Sequence, residues 1–202
     1  YQNFSINNKI FFSLKNQIVG ENYRIKIDKI IKFLKKNNLK YIFVTAPENV
    51  AWLLNIRGHD NPNSPIPNCH LLLDRDKNVY LITEKIKSSN LVKEKKIKAN
   101  NVIKPEAFQL FLNNLNPGNI SIDEKTCSLF FENLLKNKFK IIKKKDPIYL
   151  LKAIKNKIEI QNMINCHISD GVALTKFLYW IKKINKKKIT EIDAQNKLEF
   201  FR

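Results

Sequence analysis

Glycine and cysteine are both scarce in this 202-residue chain, which has four of the first and three of the second. So few glycines leave no glycine-rich loop of the kind that cradles phosphate groups. Cys69, Cys127 and Cys166 are odd in number, widely spaced and without a Cys-x-x-Cys pair. This usage argues against a disulfide framework and indicates a reducing, cytoplasmic setting.

Long apolar runs are also missing. No stretch approaches the ~18 apolar residues that a membrane span needs, and the N-terminus lacks a charged-then-apolar signal pattern. We therefore expect no membrane partner.

Arginine is scarce, although the chain has a strongly positive net charge. The formal charge is +19, yet only Arg24, Arg57, Arg75 and Arg202 among the 37 basic residues are arginine. Sites that read phosphates and bases favour the planar, bidentate fork of arginine. A lysine, asparagine and isoleucine excess spread over the whole chain is more typical of compositional drift in an A+T-rich genome. We therefore expect no nucleic-acid partner.

The apolar content is sufficient for a packed core, since 44% of the residues are hydrophobic, with 13 Phe and 6 Tyr. From Asn22 a helical period places Ile27, Ile30, Ile31 and Leu34 on one face. A strand, "KYIFVTA", and a helix beginning at Pro47 follow. "CHLLLD" and "NVYLIT" predict an antiparallel hairpin. Helices and strands then alternate up to residue 146, which predicts an α/β fold with a mixed sheet and flanking helices.

The pattern changes near residue 146. Residues 1–20 read as an irregular linker, 21–146 as the α/β domain, and 147–202 as helices that begin a second domain. Thr190 followed by Asp193 predicts a helix N-terminus. The chain starts on Tyr1 and stops at Arg202 within a helical pattern, so we expect it to be a piece of a longer protein.

The most distinctive stretch is "LLNIRGHDNPNSPIPNCHLLLD", between a predicted helix and a predicted strand. Arg57, His59 and Asp60 there form either an acid/base or anion-binding set or part of a rigid loop. In the second interpretation three prolines fix the backbone, Gly58 permits a tight turn, and Arg57 pairs with Asp60 or caps carbonyls. Retention of arginine at 57, against the lysine bias, indicates that its fork geometry is used.

Two further groups are weaker candidates. Cys69 and His70 are too few for a zinc site, and no second pair stands at ligand spacing. His167 and Asp170 share a helix face but have no matching pair elsewhere. The residues alone therefore predict no catalytic residue and no metal ligand in this chain.

Several collinear blocks carry a family resemblance. "VTAPENVAWLLNIRGHDNPNSPIPNCHLLLD", "LLKAIKNKIEIQNMINCHISDGVALTKFLYWI" and "ITEIDAQNKLEFFR" resemble three-domain aminopeptidase P (Xaa-Pro aminopeptidase), of the creatinase/prolidase pita-bread metallopeptidase superfamily. The resemblance covers nearly the whole chain. It implies a creatinase N-terminal-like middle domain, followed by the first helices of a pita-bread catalytic domain. His59 departs from the pattern, because the family more often has a small residue such as serine there.

The resemblance also implies a function for the parent protein: removal of an N-terminal residue when the next residue is proline. The family uses two divalent cations, usually manganese, which are held by two Asp, one His and two Glu that the resemblance places after Arg202. It implies a proline-containing peptide substrate and a homodimer. It places Arg57, His59 and Asp60 at the substrate entrance or at an interdomain contact. This piece is then inactive alone. The alternative is a metal-free pita-bread relative that acts as a peptide- or protein-binding module.

Overall fold

The structure, a computed structural model, describes residues 9–184 and 189–202. The chain divides into two compact units, one up to Ile154 and one from Lys155 to Arg202. The first unit is an α/β layer structure and the second is a pair of helices, so the fold class expected from the sequence is confirmed.

The first unit alternates strands and helices. Its strands are β1 (Phe12–Ser13), β2 (Tyr41–Val44), β3 (Ile56–Arg57), β4 (His70–Asp74), β5 (Val79–Ile82), β6 (Val102–Ile103), β7 (Asn119–Ile122) and β8 (Lys140–Lys143). Its helices are α1 (Asn16–Val19), α2 (Tyr23–Lys36), α3 (Pro47–Leu54), α4 (Ser89–Lys93), α5 (Phe108–Asn113), α6 (Leu129–Lys136) and α7 (Pro147–Ala153). The second unit contains α8 (Lys157–Lys183) and α9 (Glu191–Phe201).

Six strands form a mixed sheet in the order β6-β5-β4-β2-β7-β8. Strand β4 pairs antiparallel with β2 and with β5, which confirms the predicted hairpin, whereas β2–β7, β7–β8 and β5–β6 are parallel. Strands β1 and β3 form a separate two-stranded sheet. The parallel pairs need crossover helices, which explains the alternation in the sequence.

Both faces of the central strands are covered, so alternate side chains enter two different cores. Ile42 and Val44 pack with the helices on one face, while Tyr41 and Phe43 pack on the other. The four residues of β2 are each at most 3% exposed. A strand buried on both faces must be apolar at consecutive positions, which is why "YIFV" does not alternate with polar residues.

Helix α2 follows the predicted pattern with one exception. Ile27, Ile30, Ile31 and Leu34 are buried as expected, but Lys26 is buried as well, at 1% exposure. Its Nζ donates to the carbonyl of Trp52 at 3.0 Å and to Oδ1 of Asn55 at 2.7 Å, and it lies 3.9 Å from the Trp52 ring centroid. These contacts place a cation at the C-terminal end of α3, where the helix dipole favours one.

The start of the chain differs from the predicted irregular linker 1–20. Among the described residues of that segment, Phe11 is fully buried in the core, and Phe12 pairs with Arg57 in the β1–β3 sheet. Residues 11–13 therefore belong to the packing of the first unit.

The division between the units also lies later than the predicted boundary at 146. Helix α7 stays with the first unit because Ile148 is fully buried in the core that α2 and α3 share. The side chain of Asp146 caps α7 by accepting the N–H of Ile148 at 2.8 Å. The expected character of 147–202 as the start of a second domain remains a prediction.

Both helices of the second unit begin with clear N-terminal caps. Asn156 with Glu159, and Thr190 with Asp193, each form a reciprocal capping box, so the predicted helix start at Thr190 is confirmed. In the part of the chain that the structure describes, no helix combines the length and the apolar character needed to cross a membrane.

Candidate functional site

The distinctive loop follows directly from the end of α3. Asn55 ends that helix in the left-handed conformation, with φ 52° and ψ 48°, which asparagine adopts more readily than most residues. The chain then forms β3 against β1, and the loop runs from Gly58 to Cys69 before β4 begins. The loop is therefore anchored at both ends by sheet pairing.

Arg57 is half-buried at the start of this loop. Its Nη1 donates to the carbonyl of Ile56 at 2.8 Å, and burial lowers the pKa of its guanidinium. Of the two roles predicted for it in a rigid loop, the contact with a carbonyl is the one observed. The other alternative, pairing with Asp60, is not the one observed, since the two carboxylate oxygens of Asp60 bind Lys87 and the N–H of Asn68.

Asp60 forms a buried ion pair with Lys87, a residue that the sequence did not indicate. Oδ1 of Asp60 lies 2.5 Å from Nζ of Lys87, and the two side chains are 9% and 8% exposed. Oδ2 accepts the N–H of Asn68 at 2.7 Å, and the carbonyl of Lys87 accepts the N–H of Phe11 at 2.7 Å. The pair thus joins the loop to the segment before α4 and to the start of the described chain. A buried charge needs such a partner, which makes this pair a rigid brace.

Gly58 is required by a close approach rather than by an unusual turn. A Cβ at this position would lie 2.8 Å from Cα of Pro67 and 3.2 Å from Cδ1 of Phe11. The N–H of Gly58 donates to the carbonyl of Pro65 at 3.0 Å. The two sides of the loop therefore meet at Gly58, and the prolines hold the opposing side in place.

His59 is exposed at the loop surface, with its ring centroid 5.2 Å from that of Phe12. His70 is only eleven residues from His59 in the chain, but its surroundings are different. Its Nδ1–H donates to the carbonyl of Thr45 at 3.0 Å, its ring packs edge-on against Phe131, and burial lowers its pKa. The structure does not bring the two histidines into one acid/base set.

The cysteines are free thiols, as their spacing predicted. Cys69 is 2% exposed, and burial raises the pKa of its thiol far above the ordinary value, with Asp60 adding to the effect. A thiol that stays protonated is a poor nucleophile, so Cys69 contributes packing. In the second unit, Asp170 binds Arg202 at 2.7 Å instead of pointing to a metal site with His167.

Residues 9–184 and 189–202 contain no group of three or more His, Cys, Asp or Glu side chains placed to hold a metal ion. The described residues therefore do not fit a two-metal centre. Arg57, His59 and Asp60 lie within four residues of one another, and the charged contact of Asp60 with Lys87 is structural. The geometry supports a rigid, partly exposed loop rather than a catalytic one.

Comparison with known proteins identifies one family and relatives with similar names. The family description "Creatinase/Prolidase N-terminal domain" matches residues 5–159. Xaa-Pro aminopeptidase 1 of Dictyostelium discoideum is 32% identical over 203 residues, which is 96% of this chain and 32% of that protein. A probable Xaa-Pro aminopeptidase P of Talaromyces marneffei is 29% identical, over 92% of this chain and 30% of that protein. The chain thus spans about a third of the length of these curated relatives.

Solved structures show the same fold. An X-prolyl aminopeptidase from Caenorhabditis elegans, described as a cytosolic enzyme with a di-nuclear active site, superimposes with a TM-score of 0.84 at 22% identity, over 100% of this chain and 34% of that one. The prolidase from Pyrococcus furiosus gives a TM-score of 0.56 at 21% identity, over 85% of this chain and 47% of that one. At these identities the likeness shows the fold alone.

Proposed function

Since the chain belongs to the creatinase/prolidase N-terminal domain family, we propose that it is part of a metal-dependent Xaa-Pro aminopeptidase. Such an enzyme hydrolyses the N-terminal residue from a peptide whose second residue is proline. The observation that carries this proposal is the collinear similarity, over 96% of this chain, to a relative named Xaa-Pro aminopeptidase. The resemblance expected from the sequence motifs is confirmed at the level of the family.

The contribution of this piece is structural in our proposal, and the piece alone is inactive. Two divalent cations, most suitably manganese, belong to residues outside the described ranges, which contain no group fit to hold them. When bound, such a pair supplies a metal-bound nucleophile and polarises the scissile carbonyl. The residues of this chain take no direct part in that chemistry.

The exposed apolar side chains of the second unit support a longer enzyme. Ile160, Met163, Ile164, Ile168 and Leu174 along α8 are between 45% and 63% exposed. Contiguous apolar surface of this kind is covered in stable proteins. We propose that a further part of the same protein covers this surface. We also propose that the whole enzyme is a homodimer located in the cytoplasm.

We further propose that the loop bearing Arg57, His59 and Asp60 rims the substrate entrance or braces a contact with another part of the enzyme. The rigid Asp60–Lys87 pair supports this role, because a binding rim is more effective when its backbone is fixed.

The activity is tested on the full-length protein with an Arg-Pro-Pro peptide. We expect release of the first residue, loss of activity with a chelator, recovery with Mn²⁺, and no cleavage of an Arg-Ala-Pro control. The coding sequence after Arg202 should supply two Asp, one His and two Glu. Their absence, together with peptide binding without cleavage, would instead establish the metal-free binding module.

The loop is tested by Arg57→Lys in the full-length protein. Lysine keeps the charge but loses the fork, so we expect a higher KM or a lower stability. Arg75→Lys is the matched control, because Arg75 also donates to a backbone carbonyl, that of Leu39 at 2.7 Å. A change in KM that occurs in Arg57→Lys but not in Arg75→Lys supports the entrance role. Wild-type stability and KM in Arg57→Lys would rule out any role for its fork.

A further inference from the structure

A cleft in the first unit lies away from the distinctive loop. It is formed by the start of α2, the turn between β4 and β5, and the segment that follows α4, and its volume is about 380 Å³. Its basic lining residues are Arg24, Lys77, Lys95, Lys96 and Lys98, and its acidic lining residue is Asp28. We call this the basic cleft. Its volume is within the range of small-molecule sites, roughly 300–1,000 Å³.

The positive charges of the cleft exceed the negative ones. Lys77 binds Asp28 at 2.6 Å, and this pair is about half exposed. Lys96 is half-buried, and its Nζ donates to neutral oxygens, Oγ of Ser13 at 2.7 Å and the carbonyl of Leu54 at 3.1 Å. Burial lowers the pKa of Lys96, and the nearby Glu94 opposes that effect. An anionic ligand would therefore meet a net positive charge, to which the exposed side chains of Arg24, Lys95 and Lys98 contribute most.

The arginine of the cleft is held against an aromatic ring. Nε of Arg24 donates to Oη of Tyr23 at 3.3 Å, and the ammonium of Lys96 lies 5.1 Å from the Tyr23 ring centroid. Arg24 is one of four arginines in a chain that otherwise uses lysine. A guanidinium presents a planar fork that matches phosphate oxygens, which an ammonium does not.

Two lysines of the cleft have unusual backbones. Lys77 and Lys95 have φ of 68° and 54°, which makes them two of the four non-glycine residues with positive φ in the described ranges. Lysine adopts this conformation less readily than glycine or asparagine. Lys77 adopts it in the tight turn between β4 and β5, and Lys95 adopts it just after α4, so hydrogen-bonded turns fix both backbones at the cleft. General lysine enrichment of the chain accounts for the charge but not for its convergence on one cavity.

We propose that the basic cleft binds a small polyanion of the phosphate class, such as pyrophosphate or a phosphorylated metabolite. The small volume of the cleft favours a compact ligand over a nucleic-acid strand, which needs an extended groove. This site is independent of peptidase activity.

The test is calorimetric titration of pyrophosphate and of orthophosphate into the full-length protein at about 0.15 M salt, where surface charge is largely screened beyond ~8 Å. We expect pyrophosphate to bind more tightly than orthophosphate. Arg24→Gln/Lys98→Gln should weaken pyrophosphate by about tenfold or more, or about 1.4 kcal/mol. Both side chains are exposed, so the fold should be retained.

The control is Lys35→Gln/Lys36→Gln, which removes two charges from the exposed last turn of α2, outside the cleft. We expect it to bind pyrophosphate as the wild type does. Equal losses in both variants would overturn the proposal, because they indicate general charge attraction. Absence of pyrophosphate binding at millimolar concentration, or tighter binding of a single-stranded oligonucleotide, would overturn it too.

Discussion

The two units contain similar apolar side chains but bury them very differently. In the first unit Leu53, Leu71 and Phe43 are at most 1% exposed, and two cores cover both faces of the sheet. In the second unit, helix α8 has 27 residues, and of its described side chains one, that of Ala173, is buried. Burial rather than apolar composition therefore distinguishes the core of the first unit from helices whose apolar side chains remain on the surface.

The largest expected contrast concerns ion pairs. Asp60→Asn should lower the free energy of unfolding by about 3–5 kcal/mol, because it leaves Lys87 charged and buried. Asp170→Asn, which removes the exposed partner of Arg202, should leave it unchanged within error. Urea unfolding of the 202-residue chain measures both.

A double variant sharpens this result. Asp60→Asn combined with Lys87→Met removes both charges and should recover part of the lost stability. If the loss in unfolding free energy of the double variant equals the sum of the losses in Asp60→Asn and Lys87→Met, the two charges are not coupled. The Asp60–Lys87 pair would then not brace the loop.

Leucine truncation compares the cores of the two units. Leu53→Ala should lower the free energy of unfolding by about 2–5 kcal/mol, since Leu53 is fully buried. Leu174→Ala removes the same atoms from a side chain that is 45% exposed, and it should cost less than about 1 kcal/mol in this chain. Comparable losses would show that the second unit has a core of its own.

Glycine substitution should have opposite signs in the two units. Gly58→Ala places a Cβ 2.8 Å from Cα of Pro67 and should destabilise by about 1–3 kcal/mol. Gly171→Ala meets nothing within 4 Å on α8 and should stabilise that helix by about 0.5–1 kcal/mol. Thermal unfolding followed by circular dichroism measures both shifts. A neutral or stabilising Gly58→Ala would contradict the close approach at Gly58, and a destabilising Gly171→Ala would contradict the open space at Gly171.

The smallest expected effect is a pH dependence in the first unit. Because the pKa of His70 is lowered in the folded state, the unfolded chain binds a proton more readily. The associated stability is present above the unfolded pKa of about 6.5 and is lost as the pH falls through the folded value. Unfolding free energies between pH 8 and pH 5 should therefore fall less steeply in His70→Asn. An unchanged slope would exclude this contribution.

Regular elements of the first unit were predictable because each leaves a local pattern. The stripe from Ile27 to Leu34 and the hairpin around residues 74–79 are examples. The sheet order was not predictable, since the pairing of β2 with β7 joins residues far apart in the chain. The packing of α7 with the first unit was not predictable either, because it depends on the burial of one side chain, Ile148.

The candidate loop was recognisable, but its contacts were not. Arg57, His59 and Asp60 lie within four residues of one another in the sequence. Lys87, the partner of Asp60, lies in an ordinary lysine-containing segment with no distinguishing signal. Lys26 did leave a signal, because it precedes Ile30 by one helical turn and so falls near the buried face. At Lys87, which has no such helical pattern around it, only the packing shows that the lysine is buried.

Amide hydrogen exchange on the 202-residue chain and on the full-length protein tests the contrast between the units most directly. We predict that β2 and β4 are strongly protected in both, whereas α8 exchanges rapidly in the 202-residue chain and slowly in the full-length protein. Equal, strong protection of α8 in both proteins would contradict the proposal that a further part of the enzyme covers it.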